Sequence, residues 1–375
     1  MTPGIATLLR MMPDGYEEAC FSTRAIVRKR DIKSPDDLMM LCLFHLLTGC
    51  SLVEISELAK LSEIGDISDV AFMKRFQNCN EWFKWIISHV KSNGIIDYTP
   101  PEYLKDYRLL ALDASDVREK GCTGRLYRLH FALDIVKMSA ALYNITSQEV
   151  GEKLSNFDLK EKDLVLGDRI YSSVNGIEHC MNCGADFVLR VRYNGFHSYN
   201  VDGTTMDLGE AITGSGKETG DINVFLKTQA GNIIPARVCY CKKDEEAIKA
   251  TLKRIKKTDN KHQTTTSKEA KAFNEYIVVV TSLGETITAE EILDLYRYRW
   301  QVELYFKRLK SLLGYGELPK KKENSIFAWL NGKIMIALLI ELVISKATFP
   351  PKGESFEEYL ARDEEGNSLD DVQCT

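Results

Sequence analysis

The sequence predicts an α/β protein: an N-terminal helical region precedes a mixed-sheet core that is interrupted by a β-rich insertion. Three changes of pattern support this class. Residues 34–91 contain apolar runs with helix-capping residues. Residues 106–192 consist of short runs rich in Leu, Ile, Val and Tyr, which later alternate with helical segments. Residues 195–240 are rich in Gly and Thr and contain short β-like runs.

Five segments follow from these changes. They are an N-terminal helical region, a first part of the core, the insertion, a second part of the core with the last two helices, and an acidic tail. Their predicted bounds are 1–100, 101–193, 194–272, 273–349 and 350–375.

The N-terminal region begins each predicted helix with a capping residue. Ser34 precedes Pro35 at a first helical position, and Ser51 with Glu54 has the spacing of a capping box. A further short helix ends near Lys74. Two helices joined by a short turn, the second carrying basic residues, could read DNA. A helical bundle with a few surface lysines fits the same residues, and the sequence alone favours it.

The core is predicted from alternating element types. Three strands in hairpin connection are followed by a helix, a strand, a helix and a strand. The predicted ranges are 107–115, 126–136 and 140–147 for the hairpin strands, then 149–157, 163–169, 173–183 and 185–192.

The second half is predicted in the same way. Two short β runs lie in the insertion, and a polar, basic stretch is expected to be a flexible loop. A buried strand, a helix that begins near Thr288 and a last helix follow. The ranges are 222–228, 232–241, 258–271, 275–283 and, for the last helix, 325–346.

Charge is unevenly distributed along the 375 residues. The net charge is −5, but residues 351–375 alone contribute −6. Residues 242–271 carry +5 and residues 296–322 carry +6. Local basic patches matter more for phosphate binding than the total, so the negative net charge does not exclude a nucleic-acid partner. Solvated helix faces explain the run at 242–271 equally well.

Composition also bears on the compartment. Ten cysteines without a regular framework fit a reducing environment. The apolar runs at 38–47 and 334–344 are shorter than a bilayer span, and the N-terminus lacks a signal pattern. We therefore expect a cytoplasmic protein that does not cross a membrane.

Two acids follow apolar runs that read as buried strands. Asp113 ends "RLLAL" and Asp168 ends "DLVLG". Acids at the carboxyl ends of neighbouring strands face a crevice where α/β folds place chemistry. Their oxygens would suit Mg²⁺ or Mn²⁺. A third acid is needed, and Glu303 is the candidate.

Glu303 lies in "YRYRWQVELYFKRLK", residues 296–310, which is expected to form one helix. At 100° per residue, six residues fall within roughly 60° of one line. An apolar stripe on another side would pack on the sheet. A surface face with a Glu303–Lys307 ion pair accounts for the charges, though not for the aromatics. The six are Tyr296, Arg299, Trp300, Glu303, Lys307 and Lys310.

The spacing Tyr296-x2-Arg299-x3-Glu303-x6-Lys310 resembles the signature of DDE transposases of insertion-sequence family four. The segment around Asp113, "LLALDAS", resembles the first-Asp block of that family. The segments "LVLGDRIYSS" and "GADFVLRVRYN", the second of which contains Arg190, resemble its second-Asp block. The likeness covers about residues 35–345.

The resemblance implies an RNase H-like core and cut-and-paste movement of a bacterial mobile element. Asp113, Asp168 and Glu303 would bind two divalent ions, Mg²⁺ or Mn²⁺, for DNA-end cleavage and strand transfer, with a hairpin as the expected route. The active complex would be a homodimer that binds the terminal inverted repeats and target DNA, and the N-terminal helical region, residues 1–100, would bind the DNA ends. The residues expected to contact DNA are Tyr296, Arg299, Trp300, Lys307, Lys310 and Arg190.

Two other functions share these residues. An inactive DNA-binding protein derived from a transposase would be expected to have lost at least one acid. A metal-dependent nuclease without strand transfer would keep all three. The sequence departs from the family in one respect that concerns base stacking: the four tryptophans, at 82, 85, 300 and 329, all lie outside the insertion.

Overall fold

The structure is a computed structural model. It describes residues 3–90, 100–119, 126–137, 139–315, 317–318 and 323–346. The predicted acidic tail lies outside these residues.

The N-terminal region is helical, as predicted. Ser34 caps α3 by accepting a hydrogen bond from the backbone of Asp37, and Ser51 with Glu54 forms a full capping box on α4. The region contains α1 (Pro3–Arg10), α2 (Tyr16–Ser22), α3 (Pro35–Thr48), α4 (Leu52–Leu61), α5 (Asp69–Asn78) and α6 (Asn80–His89).

The first part of the core contains the three predicted hairpin strands and two further strands. These are β1 (Arg108–Glu119), β2 (Tyr127–Asp134), β3 (Ser139–Ser147), β4 (Asp163–Gly167) and β5 (Asp186–Arg190), with α7 (Val174–Asn182) between the last two. Strands β1, β2 and β3 are antiparallel, whereas β4 lies parallel to β1 and β5 parallel to β4. The order β3-β2-β1-β4-β5 confirms the predicted mixed-sheet, RNase H-like class.

The prediction of a helix near 149–157 is wrong. That segment contains a single 3₁₀ turn, Leu154–Asn156. Asn156 donates to the carbonyl of Gly151, and this local hydrogen bond competes with helix formation.

The inserted segment continues the same sheet. It contains β6 (Ser198–Tyr199), β7 (Thr205–Met206), α8 (Leu208–Gly214), β8 (Thr219–Lys227), β9 (Ile233–Lys242), α9 (Glu245–His262) and α10 (Lys268–Phe273). The sheet order extends through β10-β9-β8-β6-β7, where β10 (Tyr276–Thr281) pairs with β5 and β9.

The prediction of a flexible loop at 258–271 is also wrong. Most of it belongs to α9 and α10, which are capped by Asp244 and Ser267. Asp259 accepts hydrogen bonds from the backbone and the hydroxyl of Thr266, which fixes the connection between the two helices. The Thr-rich run is therefore the capped joint between two helices.

The C-terminal part contains α11 (Ala289–Arg297), α12 (Trp300–Leu313), β11 (Glu317–Leu318) and α13 (Glu323–Lys346), with β11 parallel to β1. Helix α13 is longer than its apolar run suggested. It is long and apolar enough to cross a bilayer, but most of the qualifying segment, Glu323–Val343, is buried inside the protein. It packs chiefly on α6, α5 and α12, so its apolar surface contributes to the core.

The sheet lies between two apolar layers. Leu109 and Ala111 of β1 face the layer formed by the N-terminal helices and α11 to α13, whereas Leu110 and Leu112 face the layer that contains α7 and α8. Side chains alternate between the faces of a strand, so the parity of a position identifies its face. This alternation determines where the candidate functional residues lie.

Candidate active site

Asp113 and Asp168 lie on one face of the sheet at the same level. Ala111 pairs with Leu166 in the parallel β1–β4 ladder. Asp113 and Asp168 each lie two residues beyond this pair, so the two acids lie opposite each other. Both share the parity of Ala111 and Leu166, which face α12 and the N-terminal helices. Asp168 directly follows the last residue of β4.

Asp113 does not end its strand, which differs from the expectation. Strand β1 continues to Glu119 because β2 pairs with it up to Val117. The acid instead lies where the neighbouring strand β4 stops. Its Oδ1 accepts a hydrogen bond of 2.8 Å from the backbone of Ala114.

The helix that carries Glu303 is in two pieces. Thr288 caps α11 with a full capping box, as predicted. Hydrogen bonds three residues apart then link Tyr298 to Leu295, and Arg299 to Tyr296, at the joint before α12. Such a 3₁₀ joint changes the helical phase, so residues 296–310 do not form the single straight helix that was expected.

The apolar stripe of α12 holds it against the sheet. Val302, Tyr305, Phe306, Leu309 and Leu313 are buried, as the helical periodicity predicted. Tyr305 stacks on Phe131 with ring centroids 4.7 Å apart, and Phe131 is the β2 partner of Asp113. This contact places α12 beside Asp113, whose pKa the charge of Glu303 raises.

Glu303 forms an ion pair with Arg299 of the joint. The alternative pair with Lys307 is not present among the described contacts. The Arg299 side chain is 13% exposed, and its Nε is buried without a hydrogen-bond partner in the described part of the chain. A buried guanidinium with an unused donor beside a 43% exposed carboxylate can accept a further anionic ligand.

The pKa shifts of these groups have causes in common. Burial raises the pKa of Asp113 to about 6, the Ala114 amide and Arg299 oppose this, and Glu303 raises it further. Burial raises the pKa of Tyr296 to about 12, while the nearby charges of Arg299 and Arg190 lower it. The charge of Asp168 raises the pKa values of both Tyr296 and Arg299.

The expected row along one helix face is only partly present. Trp300 is 59% exposed, and Lys307 and Lys310 are exposed, so all three can reach a ligand. Tyr296 is only 8% exposed, because it lies on the buried face of α11 together with Ile292 and Leu293. Its hydroxyl has no hydrogen-bond partner in the described residues. Arg190, at the end of β5, is half-buried.

Glu152 is a nearby acid that the sequence did not indicate. Its charge raises the pKa values of Asp113 and of the buried Tyr171, and it lies 3.7 Å from Arg128. It belongs to a segment without a regular element, so no periodicity could identify it.

The three predicted acids are of the kind that binds a hard divalent ion. In the described ranges, however, the side chains do not bring three Asp, Glu, His or Cys groups together around one point. Arg299 instead holds the carboxylate of Glu303 in an ion pair. The donor set therefore fits a metal ion in chemistry, with Arg299 as the competing cation.

The fold and the arrangement of these residues define the class of protein, and comparison with known proteins agrees. Residues 105–339 match the transposase DDE domain family, so the chain belongs to that family. Members of this family are enzymes of DNA transposition, and DDE domains generally use divalent metal ions.

The relatives are transposases of bacterial insertion sequences. The chain is 26% identical over 354 residues to the putative transposase InsL of insertion sequence element IS186A from Escherichia coli K12, covering 92% of this chain and 95% of that protein. It is equally similar, with the same coverage, to the transposase of IS421 from Escherichia coli. It is 27% identical over 209 residues to the transposase of IS231F from Bacillus thuringiensis subsp. israelensis, covering 50% of this chain and 43% of that protein.

Proposed function

We propose that this protein is the transposase of a bacterial insertion sequence of family four, and that it cuts and joins the ends of its element in the cytoplasm. The observation that carries the proposal is the position of Asp113 and Asp168, level on adjacent parallel strands. The ion pair between Arg299 and Glu303 lies near them, since its charges act on Asp113 and that of Asp168 acts on Arg299. The signature spacing from Tyr296 to Lys310 supports the family.

Asp113, Asp168 and Glu303 are the residues that would hold divalent ions. Bound there, Mg²⁺ or Mn²⁺ would activate the attacking oxygen and neutralise the charge on the reacting phosphate. When a phosphodiester enters, Arg299 can exchange its pair with Glu303 for a phosphate oxygen, which frees the carboxylate. The Nε of Arg299 and the hydroxyl of Tyr296 are two further buried donors beside this pair, and the Arg299 side chain interacts with the Tyr296 hydroxyl.

The exposed groups of α12 would position the DNA strand. Lys307 and Lys310 follow Glu303 by one and two helical turns and can contact phosphates near the cleaved end. Trp300 exposes more than half of its surface and can stack on a distorted or flipped base. After the first nick, the released 3′-hydroxyl would attack the opposite strand, which forms a hairpin and releases the flanking DNA. Water would then hydrolyse the hairpin, and the regenerated 3′-hydroxyl would attack the target DNA.

Incubation with Mg²⁺ and DNA carrying the ends of the element tests this function. A transposase yields cut ends, hairpins and joined products, whereas a nuclease without strand transfer yields cut ends alone. An inactive DNA-binding protein yields bound but uncut DNA. Bound but uncut DNA, or cut ends that are never joined, would contradict the proposal.

Glu303→Gln isolates the acid on α12. We expect cleavage to fall more than about 100-fold, because altering even an outer-shell partner of a metal typically costs 10- to 100-fold. End binding should persist, since the substitution removes a negative charge that faces phosphate. Glu290→Gln, an exposed change of the same kind on α11, is the matched control. Retained cleavage by the Glu303 variant would refute the assignment.

A further inference from the structure

Beside the acids lies a group of five cations, none of which belongs to the Tyr-Arg-Glu-Lys spacing, although three of them lie in the segments that resemble the second-Asp block. They are Arg169, Arg190, Arg192, Lys243 and Arg254, and together we name them the phosphate ridge. We propose that the phosphate ridge binds the DNA backbone about four nucleotides from the phosphate that is cut. This proposal rests on the proposed function and extends its DNA-binding site onto the inserted segment.

The register of the sheet places the ridge at the edge that carries the acids. Strand β5 is parallel to β4 and ends at Arg190, and β9 is antiparallel to β10, so the carboxyl ends of β4, β5 and β9 meet at one edge. The Val191 amide donates to Val278 and the Lys243 amide to Glu275, which continues both ladders past the strand ends. Arg192 and Lys243 are therefore separated only by the start of β10.

The same alternation that orients the acids orients these cations. Val188 of β5 and Cys239 of β9 belong to the layer that contains α12, and Arg190 and Lys243 share their parity. The ridge therefore begins on the face of Asp168 and runs along it toward the insertion.

Helix α9 forms the outer wall of the ridge. Lys243 lies just before its cap, and its ammonium donates to the hydroxyl of Thr251 at 3.3 Å and to the carbonyl of Asn274. These two contacts fix a lysine that would otherwise be mobile. One turn beyond Thr251, the exposed Arg254 adds its guanidinium to the group.

The cations are close enough to repel one another. Burial, followed by the charges of Arg190, Arg254 and Arg169, lowers the pKa of Lys243 to about 8. Burial and the charges of Arg190, Arg192 and Arg254 also lower the pKa of Arg169. Among the residues that the structure describes, the ion pair of Arg169 with Asp168, at 3.9 Å, is the only one that any member forms. Concentrated positive charge that the fold leaves uncompensated is suited to a polyanion.

The length of the ridge favours a DNA strand over a small phosphate ligand. Three strand spacings of about 4.8 Å separate β4 from β9, which places Lys243 about 14 Å from Asp168 along the edge. One DNA strand rises 3.4 Å per nucleotide, so this length corresponds to about four nucleotides. A chain of phosphates that enters over Asp168 would meet the five cations in succession.

The salt dependence of DNA binding tests the ridge. The double variant Arg192→Gln with Arg254→Gln removes two exposed charges that contact neither acid. With a duplex that carries the element end, in Ca²⁺ to prevent cutting, the slope of log K against log salt should become shallower by about 1.8. Lys249→Gln with Lys256→Gln is the control with the same charge loss, because these residues lie about 140° and 200° around α9 from Arg254.

The outcomes separate this proposal from the proposed function. If the ridge binds DNA, the control keeps the wild-type slope, while the ridge variant loses affinity yet cuts in Mg²⁺ at near the wild-type rate once saturated with DNA. The proposal that the ridge binds DNA would be refuted if both double variants had the same salt slope, or if both lost the same DNA affinity. Absence of cutting by the wild-type protein would contradict the proposed function instead, whatever the slopes.

Discussion

The carboxyl group of Asp113 lies where its negative charge is disfavoured. Its pKa is raised from 3.8 to about 6, chiefly by burial. A folded-state pKa above the unfolded value means that the folded protein binds the proton more tightly. The stabilising contribution is therefore complete below pH 3.8 and is lost as the pH rises through 6. Asn keeps the size of the side chain and an oxygen for the Ala114 amide, but carries no charge. We expect Asp113→Asn to stabilise the metal-free protein above pH 6.

The size of this effect follows from the pKa shift. About two pKa units at 1.36 kcal/mol each correspond to about 3 kcal/mol at pH 8. The same relation leaves about 1 kcal/mol at pH 4.5, where the carboxyl group is mostly protonated in the folded state. With an unfolding entropy of about 2.1 cal/mol/K per residue, 3 kcal/mol raises the Tm of a chain of this length by about 4 °C.

Thermal unfolding in EDTA at several pH values measures this difference. The Tm gain of Asp113→Asn should grow from pH 4.5 to pH 8, while the control Asp294→Asn, whose side chain is 66% exposed, should change little. Adding Mg²⁺ should raise the Tm of the wild-type protein but not that of Asp113→Asn. A gain that does not depend on pH, or a loss at pH 8, would refute the reasoning.

Two further substitutions test contacts that stabilise the sheet and the loop before α11. Gly167→Ala, next to Asp168, would place a methyl group 2.7 Å from Leu189 and should destabilise the fold by about 1–3 kcal/mol in denaturant titrations, whereas Gly151→Ala has room and should not. The guanidinium of Arg237 is 4% exposed and donates to two carbonyls of the loop before α11. Arg237→Met should lower unfolding stability by about 2–4 kcal/mol, and the exposed control Lys242→Met by less than 0.5 kcal/mol. If a variant and its control changed the unfolding stability equally, the packing or hydrogen-bond argument behind that variant would be contradicted.

Local signals in the sequence were sufficient for much of the fold. Ser34, Ser51 and Thr288 cap helices at the expected positions because capping needs only a few neighbouring residues. The apolar runs that became β1 to β5 also report local burial. The adjacency of Asp113 and Asp168 was expected from strand order, and the register of β1 and β4 brings them level.

Features that depend on tertiary contacts were not accessible in this way. Arg299 at the joint keeps helical dihedral angles and no Gly or Pro marks the position, so no local signal indicated that Tyr296 and Glu303 lie on different helices. The polar run that forms α9 has few apolar residues, and its helix is stabilised by caps and by contacts with the sheet edge. The nearness of Glu152 and Lys243 to the site arises from chain segments remote in sequence.

A crystal structure of the DNA-bound protein soaked with Mn²⁺ tests the central claim most directly, because anomalous scattering locates the ions. We predict two Mn²⁺ ions about 3.5–4 Å apart, held by oxygens of Asp113, Asp168 and Glu303, with Arg299 turned to a phosphate. Mn²⁺ bound elsewhere, with Glu303 still paired to Arg299 in the presence of DNA, would contradict the account.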